Sequence, residues 1–261
     1  WSSDVCSSDL MLLALVIYMV GFHTLPEDEL HRVKAAHKTE APLTRDEWRA
    51  VYALLVLTIP LTLYWACYEQ QGNTIALWAS DHTDRSINLL FWSGEIPITW
   101  FQSFNPFMIF AFTPFILALW TRQAKRNTEP STLNKMTIGC VCMVAANLVM
   151  MTAAILAGEN GQSSWLWLFA YFVIMTTGEL YLSPTSLSLY SKVAPAQILS
   201  TMMAVNFIPN FLGGGFLQGY LGSYWSSMGK ANFFLMIAGI SAAAGLIVWL
   251  FNKPLKPILK E

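Results

Sequence analysis

The sequence predicts an all-α membrane protein, and three observations carry that reading. Only 12% of the 261 residues are charged, against about 25% in soluble domains, and mean hydropathy is +0.46. Six apolar stretches are each about as long as the roughly 20 residues a helix needs to cross a bilayer. All the lysines and arginines except Arg85 and Lys230 fall in segments on one side of those crossings, the asymmetry of the positive-inside rule. The net charge of −1 says nothing by itself about partners, and no nucleic-acid partner is expected.

Residues 1–10, WSSDVCSSDL, match nothing that follows and read as extraneous sequence. They lack the basic start and small-residue cleavage site of a secretory leader. Residues 11–22 are apolar but too short to span alone, and read as the end of a truncated helix. Residues 23–47 are polar and mixed in charge, a cytoplasmic linker or short surface helix. The six spans of the 48–251 bundle are 48–79, 97–121, 135–157, 165–195, 198–221 and 232–251, and 252–261 forms a cytoplasmic tail. Bends are expected at Pro60 and Gly72 in the first span. Both ends of the bundle then face the cytoplasm.

The fourth span organises the rest. Its first half is apolar or aromatic, and then Glu179 appears at mid-depth. A carboxyl there costs roughly 2.5–3.5 kcal/mol on insertion scales, so such groups face a cavity or a partner. Glu179, Ser183, Ser186 and Tyr190 share a helix face, and Pro184 frees the carbonyl of Leu180 and predicts a kink. In the first span, Trp65 and Glu69 share a face near Tyr68, Gln70 and Gln71. Glu69 reads equally as an embedded acid or as one reaching the outer interface. Asn105 precedes Pro106 in the second span. Asn206, Asn210, Gly214 and Gln218 form a stripe in the fifth that either lines a cavity or joins helices. The four histidines fall in loops or at helix ends, and the four cysteines have no metal-ligand spacing. No nucleophile motif, phosphate loop or dinucleotide fingerprint is present, and no cofactor is implied. Embedded carboxylates on interrupted helices favour a secondary transporter.

Two stretches go further. GELYLSPTSLSLYSKVAPAQ, Gly178–Gln197, resembles the tenth-helix signature of the proton-dependent oligopeptide transporter (POT) family of the major facilitator superfamily. YWACYEQQGNT, Tyr64–Thr74, resembles that family's seventh helix, and WFQSFNPF, Trp100–Phe107, the start of its eighth. The resemblance covers nearly everything after Leu10. It implies six transmembrane helices forming the C-terminal half of a major facilitator fold, plus a truncated preceding helix. It further implies a proton-coupled symporter importing di- and tripeptides by alternating access across a bacterial inner membrane, with an N-terminal six-helix half as partner. On the resemblance, Glu179 handles the peptide amino terminus, and Trp65, Tyr68, Asn105, Ser183 and Asn206 occupy pocket positions. Glu69 and Glu179 take part in proton coupling. Asn206 stands where many members carry tryptophan, and Ser186 where glycine is usual, which bears on substrate range. A same-fold carrier of nitrate, amino acids or another small solute is the alternative. A membrane-embedded enzyme using Glu179 as acid or base is a weaker one, since it wants a second catalytic group in reach.

Overall fold

The computed structural model describes residues 2–22, 42–89, 92–158 and 161–255. His23, His31, His37, most of the expected 23–47 linker and the end of the 252–261 tail lie outside them. The chain divides into two units, Trp1–Pro42 and Leu43–Glu261.

In the first unit, α1 (Ser2–Gly21) runs through the residues read as extraneous and on into the apolar stretch as one helix. Its apolar part, 12–21, is shorter than a bilayer crossing, as expected.

The second unit begins with α2 (Arg45–Tyr68), three residues earlier than expected. The cause is a capping box. The Thr44 hydroxyl accepts the Glu47 N–H, and the Glu47 carboxylate accepts the Thr44 N–H at 2.7 Å. Pro60 lies within α2, which continues through it. The interruption comes later, where Glu69–Gly72 tightens into a 3₁₀ turn before α3 (Thr74–Asp81). Then follow α4 (Ile98–Lys125), α5 (Thr132–Ala157) and α6 (Trp165–Val193), the last remaining helical across Pro184.

The expected fifth span is not one helix. It comprises α7 (Leu199–Val205), a single turn α8 (Ile208–Asn210), a π-helical segment Phe211–Leu217 and α9 (Gln218–Gly222). Pro209 has no N–H to give, and three consecutive glycines favour no one winding, so the backbone departs from α geometry there. The last helix is α10 (Lys230–Leu255). Five stretches in the described residues are long and apolar enough to cross a membrane, α2 and α3 counting together as one. The interrupted run 199–222, fifth in chain order, brings the segments to six.

Short strands, not anticipated from sequence, join the helices at one end. β1 (Thr83–Asp84) pairs in parallel with β4 (Ser163–Ser164), and β2 (Ser86–Leu89) pairs antiparallel with β3 (Trp92–Glu95). Asp84 accepts the Ser86 hydroxyl at 2.6 Å and its N–H at 3.0 Å, and these bonds hold its carboxyl below the usual range. His82 ends α3 with its ring against Trp78, and its carbonyl accepts the Ser163 N–H.

Of the membrane segments in chain order, the third packs on the fourth and the sixth, and the sixth also packs on the first. The second packs on the fourth, and the fifth on the first. Exchanging each segment with the one three places along leaves these principal pairings unchanged. That is the signature of two three-helix repeats.

Small residues set the closest crossings. A Cβ on Gly139 would lie 2.8 Å from the Gly178 carbonyl oxygen, and one on Gly178 would lie 2.7 Å from the Gly139 carbonyl oxygen. Helices α5 and α6 thus meet backbone to backbone. A second tie is polar: the Tyr190 hydroxyl, fully buried on α6, donates to the Leu54 carbonyl of α2 at 2.7 Å. Tyr190→Phe should lower stability by about 1 kcal/mol, read as a fall in the melting temperature of detergent-solubilised protein. An unchanged midpoint would show that this bond contributes nothing net.

Candidate substrate site

Three helices converge on one carboxylate. Tyr68 ends α2, Asn105 lies two turns into α4, and Glu179 sits at the middle of α6. The Asn105 amide donates from Nδ2 to the Tyr68 hydroxyl at 3.0 Å and to Glu179 Oε2 at 3.1 Å. The Tyr68 hydroxyl also lies close enough to Glu179 to interact with it, which completes a triangle around Asn105, and Gln71 comes near that hydroxyl. Asn105 is 4% exposed, whereas Glu179 is half-buried. The carboxylate is therefore oriented by neighbours yet still open on one side. An ionised carboxylate has about four lone-pair sites, so two neutral donors leave room for a cationic one.

Trp65 stands edge-on to Tyr68 with ring centroids 5.0 Å apart, and it is half-buried. It gives the triangle an apolar wall. Ser183, one turn beyond Glu179, is half-buried, and its carbonyl accepts the Ser186 hydroxyl at 3.0 Å. The expected stripe on α6 thus splits in use. Glu179 faces α2 and α4, Ser186 bonds within its own helix, and Tyr190 ties α6 to α2.

Glu69 is beside the triangle and close enough to Glu179 for their charges to interact. Asn210 lies near enough to interact with it, and a Cβ on Gly214 would come within 2.9 Å of its side chain. Two of the four stripe residues on the fifth segment therefore contact this acid. A third, Gln218, donates to the Glu69 carbonyl at 3.0 Å, while Gln70 donates to the Gln218 carbonyl at 3.0 Å. This reciprocal amide pair ties the 3₁₀ break after α2 to the fifth segment. Sequence reasoning did not assign Gln70 this role; the signal available was two glutamines directly before a glycine in an apolar span.

Asn206 is buried between α7 and α8, but it is not bonded to the triangle. Its Oδ1 has no hydrogen-bond partner. Among the described residues, no group of three His, Cys, Asp or Glu is placed to hold a metal.

The sequence model of the POT family matches residues 23–231. The chain is 27% identical to a di-/tripeptide transporter of Lactococcus lactis subsp. cremoris over 223 residues, which is 85% of this chain and 44% of that protein. It is 32% identical to the peptide transporter YePEPT of Yersinia enterocolitica subsp. palearctica over 175 residues, 66% of this chain and 34% of that one. A crystal structure of a POT family transporter in complex with a thioalcohol-conjugated peptide superposes with a TM-score of 0.74 at 24% identity, covering all of this chain and 55% of the other. At that identity the likeness speaks for the fold. The chain thus spans about half the length, or less, of the relatives it matches. Its interrupted membrane helices and embedded carboxylates are those of a transporter family: the chain belongs to the POT family.

Proposed function

We propose that this chain is the C-terminal half of a proton-coupled symporter that imports di- and tripeptides, and that the carboxylate triangle receives the peptide's amino terminus. The observation that carries this reading is the half-open Glu179, held by Tyr68 and Asn105 with an acceptor face unfilled. A peptide ammonium offers three donors and a positive charge to that face. The names of the curated relatives agree with a peptide substrate. Trp65 and Tyr68 supply aromatic surface for side chains, and Glu69 is the second acid through which proton and peptide occupancy are linked. Ser183 lies one turn towards the end of α6 that carries Lys192, which the charge asymmetry places at the cytoplasm. An N-terminal six-helix half supplies the opposite wall.

The test is uptake of labelled dialanine by vesicles containing the full-length transporter, with and without an imposed pH gradient. Accumulation that depends on the gradient supports the proposal. Uptake indifferent to the gradient, or competed by nitrate and not by unlabelled dipeptides, would sink it.

Asn206 bears on range. A buried amide with a vacant acceptor suits a polar group, whereas an indole offers a large apolar face and one donor. Asn206→Trp should therefore raise the competitive strength of dipeptides with aromatic side chains severalfold over dialanine. An identical ranking across a dipeptide panel would remove Asn206 from the pocket.

A further inference from the structure

Helix α6 has a second polar face, which the carboxylate triangle leaves unused. Pro184, Ser188 and Lys192 recur every four residues, and Ser188 lies nine residues beyond Glu179, which is half a revolution away at 100° per residue. This face lines a cavity of about 620 Å³ together with the end of α4, the start of α5 and Asn252 of α10.

The lining is built for an anion. Two ammonium groups reach it, Lys135 and Lys192, against one acid, Glu129. Glu129 is ion-paired with Lys135, so the charge of Lys192 is left over. The Lys135 ammonium also stands 4.1 Å from the centre of the Trp120 ring, which Tyr181 fixes edge-on from another side at 5.5 Å. The Trp120 indole N–H is buried with no hydrogen-bond partner. The lining includes the first turn of the 26-residue α5, where the Ser131 hydroxyl already accepts the Asn134 N–H and the helix dipole favours negative charge. Thr185 and Ser188 add hydroxyl donors. A group with several acceptor oxygens and a compact negative charge matches this set, and phosphate is such a group.

The surroundings say where that phosphate comes from. Each lining stretch borders an exposed apolar side chain: Leu119 beside Trp120, Leu187 beside Ser188, Ile138 one turn past Asn134, and Trp249 nearly one turn before Asn252. A soluble anion needs no such rim, whereas a headgroup whose acyl chains run down the helices does. We propose that this cavity binds the phosphate of a membrane phospholipid, with Lys192, Ser188 and the start of α5 as its contacts.

Native mass spectrometry of the purified full-length transporter tests this without reference to transport. Phosphatidylglycerol, diacylglycerol and inorganic phosphate serve as probes. The expected result is a phosphatidylglycerol adduct on the wild type, no diacylglycerol adduct, and at least tenfold lower occupancy in Lys192→Gln and in Ser188→Ala. Lys192 is exposed, so its variant is not expected to lose the fold. Equal phosphatidylglycerol occupancy in the wild type and both variants would overturn the site. Equal binding of diacylglycerol would overturn the phosphate chemistry. Displacement of the lipid by millimolar inorganic phosphate would overturn the lipid as its source.

Discussion

Glu179→Gln in the full-length transporter is expected to abolish gradient-driven peptide accumulation while leaving part of the exchange of peptide for peptide. The amide keeps the shape of the side chain and can still meet Asn105 and Tyr68, which now donate to Glu179 or lie within its hydrogen-bonding reach. It removes the charge and the proton-binding site. Exchange needs only a peptide-competent pocket, whereas accumulation needs the proton and peptide to be linked. Loss of the charge-assisted contact to the ammonium should weaken binding by about 1.5–3 kcal/mol, one to two orders of magnitude in affinity. Measuring both fluxes in the same vesicles separates the effects. Wild-type accumulation at every external pH would show that the carboxylate only holds α4 to α6.

Gly178→Ala is expected to be among the most damaging single methyl groups in the bundle. The added carbon would stand 2.7 Å from the Gly139 carbonyl oxygen and 2.8 Å from Cys142 Cβ. The first neighbour is backbone and cannot rotate away, so α5 and α6 must separate. Overpacking of this kind costs about 1–3 kcal/mol. It also moves the residue next to Glu179, whose bond to Asn105 is 3.1 Å long. Melting temperature and dialanine affinity should fall together. Gly215→Ala is the control, since nothing lies within 4 Å of its added carbon. Equal effects of the two substitutions would mean that the crossing is not the cause.

The membrane helices were legible because apolar length and charge asymmetry are properties of the chain itself. Glu179 stood out for the same reason, as a costly group in an apolar run. The bond from Asn105 to Glu179 was not legible, since it joins residues on different helices. Resemblance placed both in one pocket without giving the contact. The start of α2 was legible but missed: Thr44 and Glu47 have the spacing of a capping box. The winding of 199–222 was only half legible. Pro209 and Gly213–Gly215 weaken α geometry there, a signal that reading 198–221 as one span leaves unused, and which alternative the backbone takes depends on how close α2 comes. A Cβ on Gly213 would fall 2.6 Å from the Thr62 carbonyl oxygen, and only packing reveals that. The four short strands lie in connections between helices, where no periodicity marks them.

Helix α4 is the least enclosed of the five uninterrupted membrane stretches, with 11% of its most apolar part buried against 39–56% in the other four, and it leans chiefly on α6. Its bond from Asn105 to Glu179 lies near one end, and Lys125 lies twenty residues away at the other. At 1.5 Å per residue that arm is about 30 Å long, so each degree of tilt about the bond swings the far tip by roughly 0.5 Å. Whatever occupies Glu179 thus acts at the fulcrum of a long lever. A tilt of a few degrees about that bond would carry the tip by about one to two ångströms, beyond the place where Trp120 and Lys135 meet.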